Sequence, residues 1–260
     1  MPTEPHLLHL LPLLVLAPLL ARCGAPPSLT EHHRSARLGA DSVAVVTHRA
    51  ERAGPTYINV HDDENTSVQA GLDVIRRRGG RVIELQHADR RNIIFTLDGT
   101  TYEFDPNRMF TDAGAEASLR RYGPYSEAAF AVVRRFADDL IETYDLAALS
   151  VVVTLHNNTE GDYSAKSYAE GGAYEADAAD VFIVEGSDPD DFFFVTDRTL
   201  FEKLKKGGFN VVLQDNAHAT DDGSLSVFCG KHGIPYVNVE ARRGHLEAQI
   251  RMLDFLAGLL

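Results

Sequence analysis

Four short stretches of this chain carry side chains that metal binding and proton transfer require. Each lies at or just past the end of an apolar run of the kind that forms a β-strand. In α/β folds the carboxyl ends of the strands face the crevice where ligands bind, so the four stretches are predicted to meet at one site. They are His61-Asp-Asp-Glu64, Asp105-Pro-Asn107-Arg108, Leu155-His156-Asn157 and Asn238-Val-Glu240-Ala-Arg242.

The first stretch offers an imidazole and a carboxylate three residues apart, and both are common zinc ligands. A second pair with this spacing, His48 and Glu51, also follows a strand-like run, so spacing alone does not choose between the pairs. The context favours His61 and Glu64, because a predicted helix over residues 65–78 follows directly, whereas a simple turn follows His48. The plainer interpretation of His61 is a surface histidine in a turn.

The other three stretches also have plainer interpretations. Asn107 and Arg108 can hold a substrate carboxylate through an amide and a planar guanidinium, or they form an ordinary turn with an exposed arginine. His156 ends the most strand-like run of the chain, where it binds a ligand or only terminates the strand. Glu240 follows a late buried strand, where a carboxylate is costly unless it is paired or bound. The alternative for Glu240 is a salt bridge with Arg242 or its neighbour.

Taken in this order, the four stretches resemble the zinc carboxypeptidase family in its broad sense. The segment from Asp105 to Phe110 is similar to the Asp-x-Asn-Arg-x-Phe segment of the succinylglutamate desuccinylase and aspartoacylase branch. The resemblance implies a zinc enzyme that hydrolyses an amide bond, with one zinc ion per chain and a fourth coordination position left for water. It assigns the metal to His61, Glu64 and His156, the general base to Glu240, and the substrate carboxylate to Asn107 and Arg108.

The resemblance leaves two further roles open. The arginine that stabilises the oxyanion is Arg90 or Arg91, and no motif chooses between them. Asp62 and Asp63 are not expected to bind the metal, and one of them is expected to orient a ligand histidine.

Short apolar runs alternate with helical stretches along the chain, which predicts a three-layer α/β/α sandwich with a mixed, mostly parallel sheet. Residues 92–104 are instead predicted to form a hairpin that turns at Asp98-Gly99. The longest polar interval, residues 157–179, contains three tyrosines and is expected to frame the substrate pocket. Strands are predicted at residues 42–47, 56–60, 81–86, 150–155, 180–184, 192–195, 210–213 and 235–239, and helices at residues 65–78, 126–144, 198–206 and 245–260.

The composition is that of an ordinary globular protein, with 44% hydrophobic and 24% charged residues in a chain of 260. The formal net charge of −13 argues against binding to nucleic acid, which requires a basic face, and against electrostatic docking on anionic lipid. The chain has two cysteines, Cys23 and Cys229, so neither a structural disulfide nor a cysteine-rich metal site is expected. Residues 41–260 are predicted to form a single domain.

Residues 1–23 are predicted to be an export signal, because residues 6–21 form an apolar run that is short for a membrane span. The five residues before this run contain no lysine or arginine, which is atypical of such signals. Lipidation of Cys23 and simple cleavage both stay open. Residues 24–40 are expected to be a tether, and no transmembrane segment is expected once the signal is removed. The protein is thus expected outside the cytoplasm, either periplasmic or secreted, and either free or anchored as a lipoprotein.

Asn107 and Arg108, which are expected to bind a substrate carboxylate, are called the carboxylate clamp below. An exported zinc hydrolase with such a clamp requires a substrate outside the cytoplasm that carries free carboxylates. The stem peptide of peptidoglycan fits, and the expected activity is that of a carboxypeptidase, an endopeptidase or an amidase acting on it. The alternatives are an N-acyl amino acid deacylase, which conflicts with export, and a general exported metallocarboxypeptidase. A metal-dependent periplasmic binding module is the non-enzymatic alternative, and Glu240 disfavours it because a binding protein needs no general base.

Overall fold

The structure is a computed structural model that describes Met1, residues 28–161 and residues 163–260. The described residues form eleven strands and six α-helices. The strands are β1 (Thr30–Leu38), β2 (Asp41–Arg49), β3 (Thr56–Asn59), β4 (Arg81–Gln86), β5 (Ile93–Leu97), β6 (Thr100–Phe104), β7 (Val152–Asn158), β8 (Ala178–Phe182), β9 (Phe192–Val195), β10 (Asn210–Gln214) and β11 (Tyr236–Arg242). The helices are α1 (Asn65–Arg78), α2 (Asp112–Tyr122), α3 (Glu127–Thr143), α4 (Arg198–Lys206), α5 (Leu225–His232) and α6 (Leu246–Leu259).

Nine of the described strands form one mixed sheet in the order β1-β2-β4-β3-β7-β11-β9-β10-β8. The four central strands β4, β3, β7 and β11 run parallel, and antiparallel pairs flank them on both sides. Strands β5 and β6 pair as a separate antiparallel hairpin, which turns at Asp98 and Gly99, both with positive φ. The predicted mixed sheet and the predicted hairpin are both confirmed.

Helices cover both faces of the sheet. Neighbouring residues of a strand point to opposite faces, so Tyr57 and Val153 pack with α1, α4 and α6, while Ile58 and Val152 pack with α2, α3 and α5. The central strands are apolar on both sides for this reason. The predicted three-layer α/β/α architecture is confirmed.

Helix α1 packs closely on the central strands. A Cβ atom on Gly71 would lie 2.7 Å from Leu155 Cδ1 and 3.1 Å from Val82 Cγ2, so a larger residue would displace the helix or these buried side chains. The close approach holds the first turn of α1 near the carboxyl end of β7. Glu64, which directly precedes α1, and His156 of β7 are thereby brought together.

Three regions differ from the predictions. The tether predicted over residues 24–40 is wrong for residues 30–38, which form β1 and pair with β2 along their whole length. Strand β1 lies at the edge of the sheet with most of its residues exposed, so it lacks the apolar pattern of a buried strand. Helices α2 and α5 add to the predicted elements, and each begins at a hydroxyl cap, Thr111 for α2 and Ser224 for α5.

The predicted export signal, apart from Met1, and Cys23 lie outside the described residues. Within the part of the chain that the structure describes, none of the helices combines the length and the apolar composition needed to cross a membrane. Export, cleavage and lipidation therefore stay predictions.

Candidate active site

The ends of three neighbouring strands bring the predicted site residues together. Strand β7 pairs in parallel with β3 on one side and with β11 on the other. His61 follows the end of β3, while His156 and Glu240 are directly paired positions of β7 and β11. Because parallel strands end at the same edge of a sheet, these side chains meet at one crevice.

His61, Glu64 and His156 form a compact group of buried side chains. Nδ1 of His61 lies 2.8 Å from Oε1 of Glu64 and 3.2 Å from Nδ1 of His156. Nδ1 of His156 in turn lies 2.9 Å from Oε2 of Glu64. Two imidazole nitrogens and a carboxylate therefore face one point, as the predicted ligand set requires.

Charge is distributed unevenly within this group. Burial alone raises the pKa of Glu64, but the two histidines outweigh burial and hold the pKa well below its usual range. Burial lowers the pKa of His61, but the carboxylates of Glu64 and Asp105 outweigh it and raise the pKa to about 9. Burial prevails at His156 and lowers its pKa. Glu64 is thus ionised and His156 neutral, the forms in which these side chains bind a metal ion, and a bound metal ion would displace the extra proton that His61 holds here.

Asp105 is the residue that orients His61. Its Oδ1 accepts a hydrogen bond from Nε2 of His61 at 2.8 Å, which places the proton of a neutral ring on Nε2 and leaves the lone pair on Nδ1. The expectation that Asp62 or Asp63 orients a ligand histidine is wrong. Asp62 accepts from backbone N–H groups of the turn after β4, and Asp63 pairs with Arg243.

Asn157 joins the end of β7 to the start of α1. Glu64 occupies the N-cap position of α1, but its side chain makes no capping hydrogen bond. Instead, Oδ1 of Asn157 accepts from the backbone N–H of Ser67 at 2.9 Å. The backbone N–H of Asn157 donates to Oε2 of Glu64 at 3.0 Å. Asn157 thus provides a hydrogen-bond acceptor for the first turn of α1 and a donor for the ligand carboxylate.

Arg91, and not Arg90, reaches the site. The guanidinium of Arg91 donates to Oε1 of Glu64 at 2.8 Å and to Oδ2 of Asp105 at 3.3 Å. Both arginines are exposed to solvent, but Arg91 lines the cavity described below and Arg90 does not. Burial lowers the pKa of Arg91, but the neighbouring carboxylates outweigh it and raise the pKa. Arg91 is therefore a fixed cation next to the ligand group.

Glu240 is buried at the same crevice. Nδ2 of Asn238 donates to its Oε2 at 2.9 Å. Burial, and then the charge of Glu64, raise the pKa of Glu240 to about 8. The salt-bridge alternative for Glu240 is excluded, because Arg242 and Arg243 pair with other carboxylates.

Asn107 and Arg108 lie in a single turn of 3-10 helix after the hairpin. Oδ1 of Asn107 accepts from the backbone N–H of Leu225 at 3.2 Å, which fixes the orientation of the amide. The NH1 group of Arg108 contacts the carbonyl oxygen of Asn107 at 2.9 Å and Oδ2 of Asp222 at 3.2 Å. The guanidinium has further N–H groups on Nε and NH2, so it can also hold a substrate carboxylate.

A cavity of about 700 Å³ is lined by most of the site residues described above. Tyr163, Tyr168 and Tyr174 form part of its wall, as predicted for the polar interval after β7. The hydroxyls of Tyr163 and Tyr168 lie 2.8 Å apart, and both rings pack against Phe192. The site residues that line the cavity are Glu64, Arg91, Asn107, Arg108, His156 and Glu240.

The alternative pair His48 and Glu51 does not belong to this site. His48 lies in β2 and contacts Glu31 and Glu84, while Glu51 is exposed. The helix that follows His61 was the informative signal, because a ligand at a helix start is fixed by the packing of that helix.

A second group in the described part of the chain, Asp188, Asp191 and His245, also brings possible ligand atoms together. There Nε of Arg242 donates to Nε2 of His245 at 2.8 Å. A guanidinium already supplies the positive charge at this group, which disfavours a metal ion there.

The chain is similar to several solved structures at low sequence identity. An aspartoacylase family protein from Mesorhizobium loti is 15% identical over 89% of this chain and 68% of that chain, with a TM-score of 0.43. A succinylglutamate desuccinylase/aspartoacylase from Rhodobacter sphaeroides is 15% identical over 89% of this chain and 65% of that chain, with a TM-score of 0.43. A murein-tripeptide amidase from Escherichia coli O157 is 15% identical over 92% of this chain and 96% of that chain, with a TM-score of 0.45.

This chain spans about two thirds of the length of the first two of these proteins. No protein-family model matches the chain, and no curated protein sequence matches it significantly. Since the similarities are distant, function is inferred from the geometry of the site.

The ligand group fits a metal ion such as zinc. Nitrogen and oxygen ligands of a tetrahedral zinc ion lie roughly 3.3 Å from one another, and 3.2 Å separates the two Nδ1 atoms. Two histidines and one glutamate form a common catalytic zinc site. The hydrogen bond from His61 to Asp105 adds the carboxylate that commonly supports a zinc-bound histidine.

Metal content tests the ligand group. We expect the purified protein to bind about one zinc ion per chain and to lose it in His61→Ala or His156→Ala, because three protein ligands are the usual minimum for such a site. His48→Ala is the matched control and should keep the metal. Zinc is measured by atomic spectroscopy after dialysis, with circular dichroism as the check of folding. Zinc retained in His61→Ala but lost in His48→Ala would place the metal at the other pair.

Proposed function

We propose that the protein is a zinc-dependent amide hydrolase that acts on peptides with a free carboxylate. One observation carries this proposal: Glu64 and His156 of the ligand group, the buried carboxylate of Glu240 and the guanidinium of Arg108 all line one cavity. A binding module would need the metal ligands and Arg108, but it would gain nothing from burying an acid such as Glu240 beside them.

Each site residue has a role in this reaction. His61, Glu64 and His156 would hold the zinc ion, which would supply a Lewis acid for the activation of water and of the scissile carbonyl. Glu240 takes a proton from the attacking water and returns it to the departing amine. Burial raises the pKa of Glu240 and so brings it nearer to the working pH, where proton-transfer groups act best. Arg91 donates to the carbonyl oxygen as negative charge develops there.

The carboxylate clamp and the expected location outside the cytoplasm narrow the substrate. Asn107 and Arg108 would hold a carboxylate next to the scissile amide. The stem peptide of peptidoglycan is an abundant extracytoplasmic peptide with such carboxylates, and a cavity of about 700 Å³ is in the usual size range of ligand sites. We therefore favour an exported carboxypeptidase, endopeptidase or amidase that acts on this stem peptide.

An N-acyl amino acid deacylase is the second candidate, and the segment from Asp105 to Phe110 favours it. Both reactions use the same metal ligands and the same base, so only the substrate separates them. Digestion of muropeptides, ordinary peptides and N-acyl amino acids by the zinc-loaded protein, followed by mass spectrometry, tests the choice. Cleavage of muropeptides supports the first assignment. Activity on the other two substrate classes alone would indicate a general carboxypeptidase or a deacylase.

Glu240→Gln tests the general base. Glutamine keeps the size and an acceptor for Asn238 but cannot take a proton, so kcat should fall by about 10²–10⁴-fold while zinc content and melting temperature hold. Glu142→Gln removes an exposed carboxylate of α3 and should leave kcat unchanged. Near-normal turnover in Glu240→Gln would reduce Glu240 to a structural residue.

Arg108→Ala tests the carboxylate clamp. KM should rise about ten-fold or more for substrates with a free carboxylate, because a charge-assisted hydrogen bond is lost. KM should change much less for the same substrates with an amidated carboxylate. Steady-state kinetics measure both, and Arg76→Ala, an exposed arginine of α1, is the control. Equal effects on the two substrates would mean that Arg108 does not bind the carboxylate.

A further inference from the structure

The turn between β4 and β5 has a strained backbone. Ala88 and Asp89 have φ values of 74° and 52°, a conformation that strains residues other than glycine. The segment from residue 87 to residue 92 contains no glycine that could relieve this strain. Ala88 and Asp89 are also exposed, so packing against the core does not fix them. The turn therefore has to be held by hydrogen bonds from another part of the chain.

Asp62 provides these hydrogen bonds. Its Oδ2 accepts from the backbone N–H of His87 at 2.5 Å and from that of Asp89 at 2.8 Å. Backbone N–H groups that converge in a turn form a concave site for an anion, and here the carboxylate of Asp62 fills it. In addition, Nε2 of His87 lies 3.4 Å from the carbonyl oxygen of Val60. The segment that follows β3 thus holds the turn at two points.

The turn leads directly to Arg91. Beyond Arg91 the chain enters the hairpin, since Nδ2 of Asn92 donates to Oε1 of Glu103 at 2.8 Å and β5 begins at Ile93. The backbone of Arg91 is therefore fixed on one side by the hairpin and on the other side by the turn that Asp62 holds.

The guanidinium of Arg91 depends on this support from the backbone. Its NH1 and NH2 groups donate to Glu64 and Asp105, but 47% of the side chain is exposed, so water competes for these contacts. The two bonds also leave N–H groups on Nε, NH1 and NH2 for other partners. The direction of these remaining N–H groups depends on where the backbone of Arg91 lies.

We infer that Asp62 is a positioning residue, which holds the turn so that the remaining N–H groups of Arg91 face the reacting carbonyl. The inference rests on the proposed function, in which Arg91 stabilises the negative charge that develops on the carbonyl oxygen. Since this charge develops only in the transition state, the effect of Asp62 falls on kcat and not on KM. Asp62 directly follows His61, so one short segment supplies a metal ligand and fixes the arginine beside it.

Two substitutions of Asp62 separate its hydrogen bonds from its charge. In the zinc-loaded protein, Asp62→Ala should lower kcat roughly ten-fold or more, because a misplaced group loses its catalytic effect, with KM and zinc content little changed. Asp62→Asn keeps an oxygen acceptor without the charge and should keep most of kcat. Equal losses of kcat in the two variants would mean that the charge acts directly, and the inference would be wrong.

Double variants test whether Asp62 acts through Arg91. In an Arg91→Ala background, Asp62→Ala should cost little further, because residues that act through one contact are not additive. Ala88→Gly should restore part of the kcat of Asp62→Ala, because glycine adopts positive φ without strain. Fully additive losses of kcat would show that Asp62 acts independently of Arg91 and would overturn the inference.

Hydrogen exchange provides a measurement that does not depend on activity. By NMR, the amides of His87 and Asp89 should exchange about ten-fold faster or more in Asp62→Ala than in the wild type, as for the loss of one hydrogen bond. The amides of β4 should be unchanged, and Arg91→Ala should leave His87 and Asp89 at the wild-type rates. Unchanged exchange at His87 and Asp89 in Asp62→Ala would contradict the inference, because the turn would then be held without Asp62.

Asp41→Ala is the matched control, because Asp41 holds the same hairpin at its closed end. Oδ2 of Asp41 accepts from the backbone N–H of Thr96 at 2.6 Å, and kcat of this variant should stay at the wild-type value. An equal loss of kcat in Asp41→Ala would overturn the inference. So would a loss of zinc in Asp62→Ala that Arg91→Ala does not share, since Asp62 would then support the ligand His61. An inactive wild type with normal zinc content would instead overturn the proposed function.

Discussion

The buried carboxylate of Glu64 is the constraint on which the rest of the site depends. Only 1% of Glu64 is exposed, and an ionised carboxylate is stable there only if hydrogen bonds and positive charge replace the lost water. Arg91, His156 and the backbone N–H of Asn157 provide them. Arg91 precedes the hairpin, and the other two belong to β7. The site therefore forms only when strands, hairpin and helix have all assembled.

The same constraint extends into the first turn of α1. Glu64 makes no capping hydrogen bond, so the helix start has to be satisfied by other residues. Oγ of Ser67 donates to the carbonyl oxygen of Glu64 at 2.8 Å, and Nδ2 of Asn59 donates to Oγ of Ser67 at 3.1 Å and to the carbonyl oxygen of Leu155 at 3.1 Å. A polar network of β3, β7 and α1 thus lies directly beneath the ligand group. Its side chains are buried and, apart from Oδ1 of Asn59, hydrogen-bonded, which keeps the ligands rigid.

Helices and strands whose ends are marked by nearby residues can be predicted from local sequence patterns. Helix α1 has the predicted bounds, because basic residues fill its last turn and Gly79 follows with a φ of 94°. The grouping of His61 with His156 is also predictable, since parallel strands end at a common edge. Strand β1 is not predictable in this way. It is held by backbone pairing with β2, and its sequence lacks the apolar pattern by which a buried strand is identified.

Partners from distant segments are the part of the site that the sequence does not predict. Asp105 contacts His61 because the hairpin folds over the end of β3, and no spacing rule links the two. The choice of Arg91 over Arg90 depends on the direction of a turn with two positive φ values, which neither Ala88 nor Asp89 favours by itself. Asp222 meets Arg108 through the turn before α5, a helix with no strong sequence signal. These contacts depend on tertiary structure, so local propensity contains no information about them.

The arrangement of charges in the cavity explains how an acidic protein can bind a carboxylate. A net charge of −13 repels anions at long range, but this repulsion is screened beyond about 10 Å in ordinary salt. Within the cavity, Arg91, Arg108 and Arg243 each contact a carboxylate, and water is partly excluded, so charges act more strongly at short range. A simple anion is attracted by a guanidinium and repelled by the carboxylate next to it. A carboxylate that enters the cavity therefore binds best at guanidinium N–H groups that these ion pairs leave free.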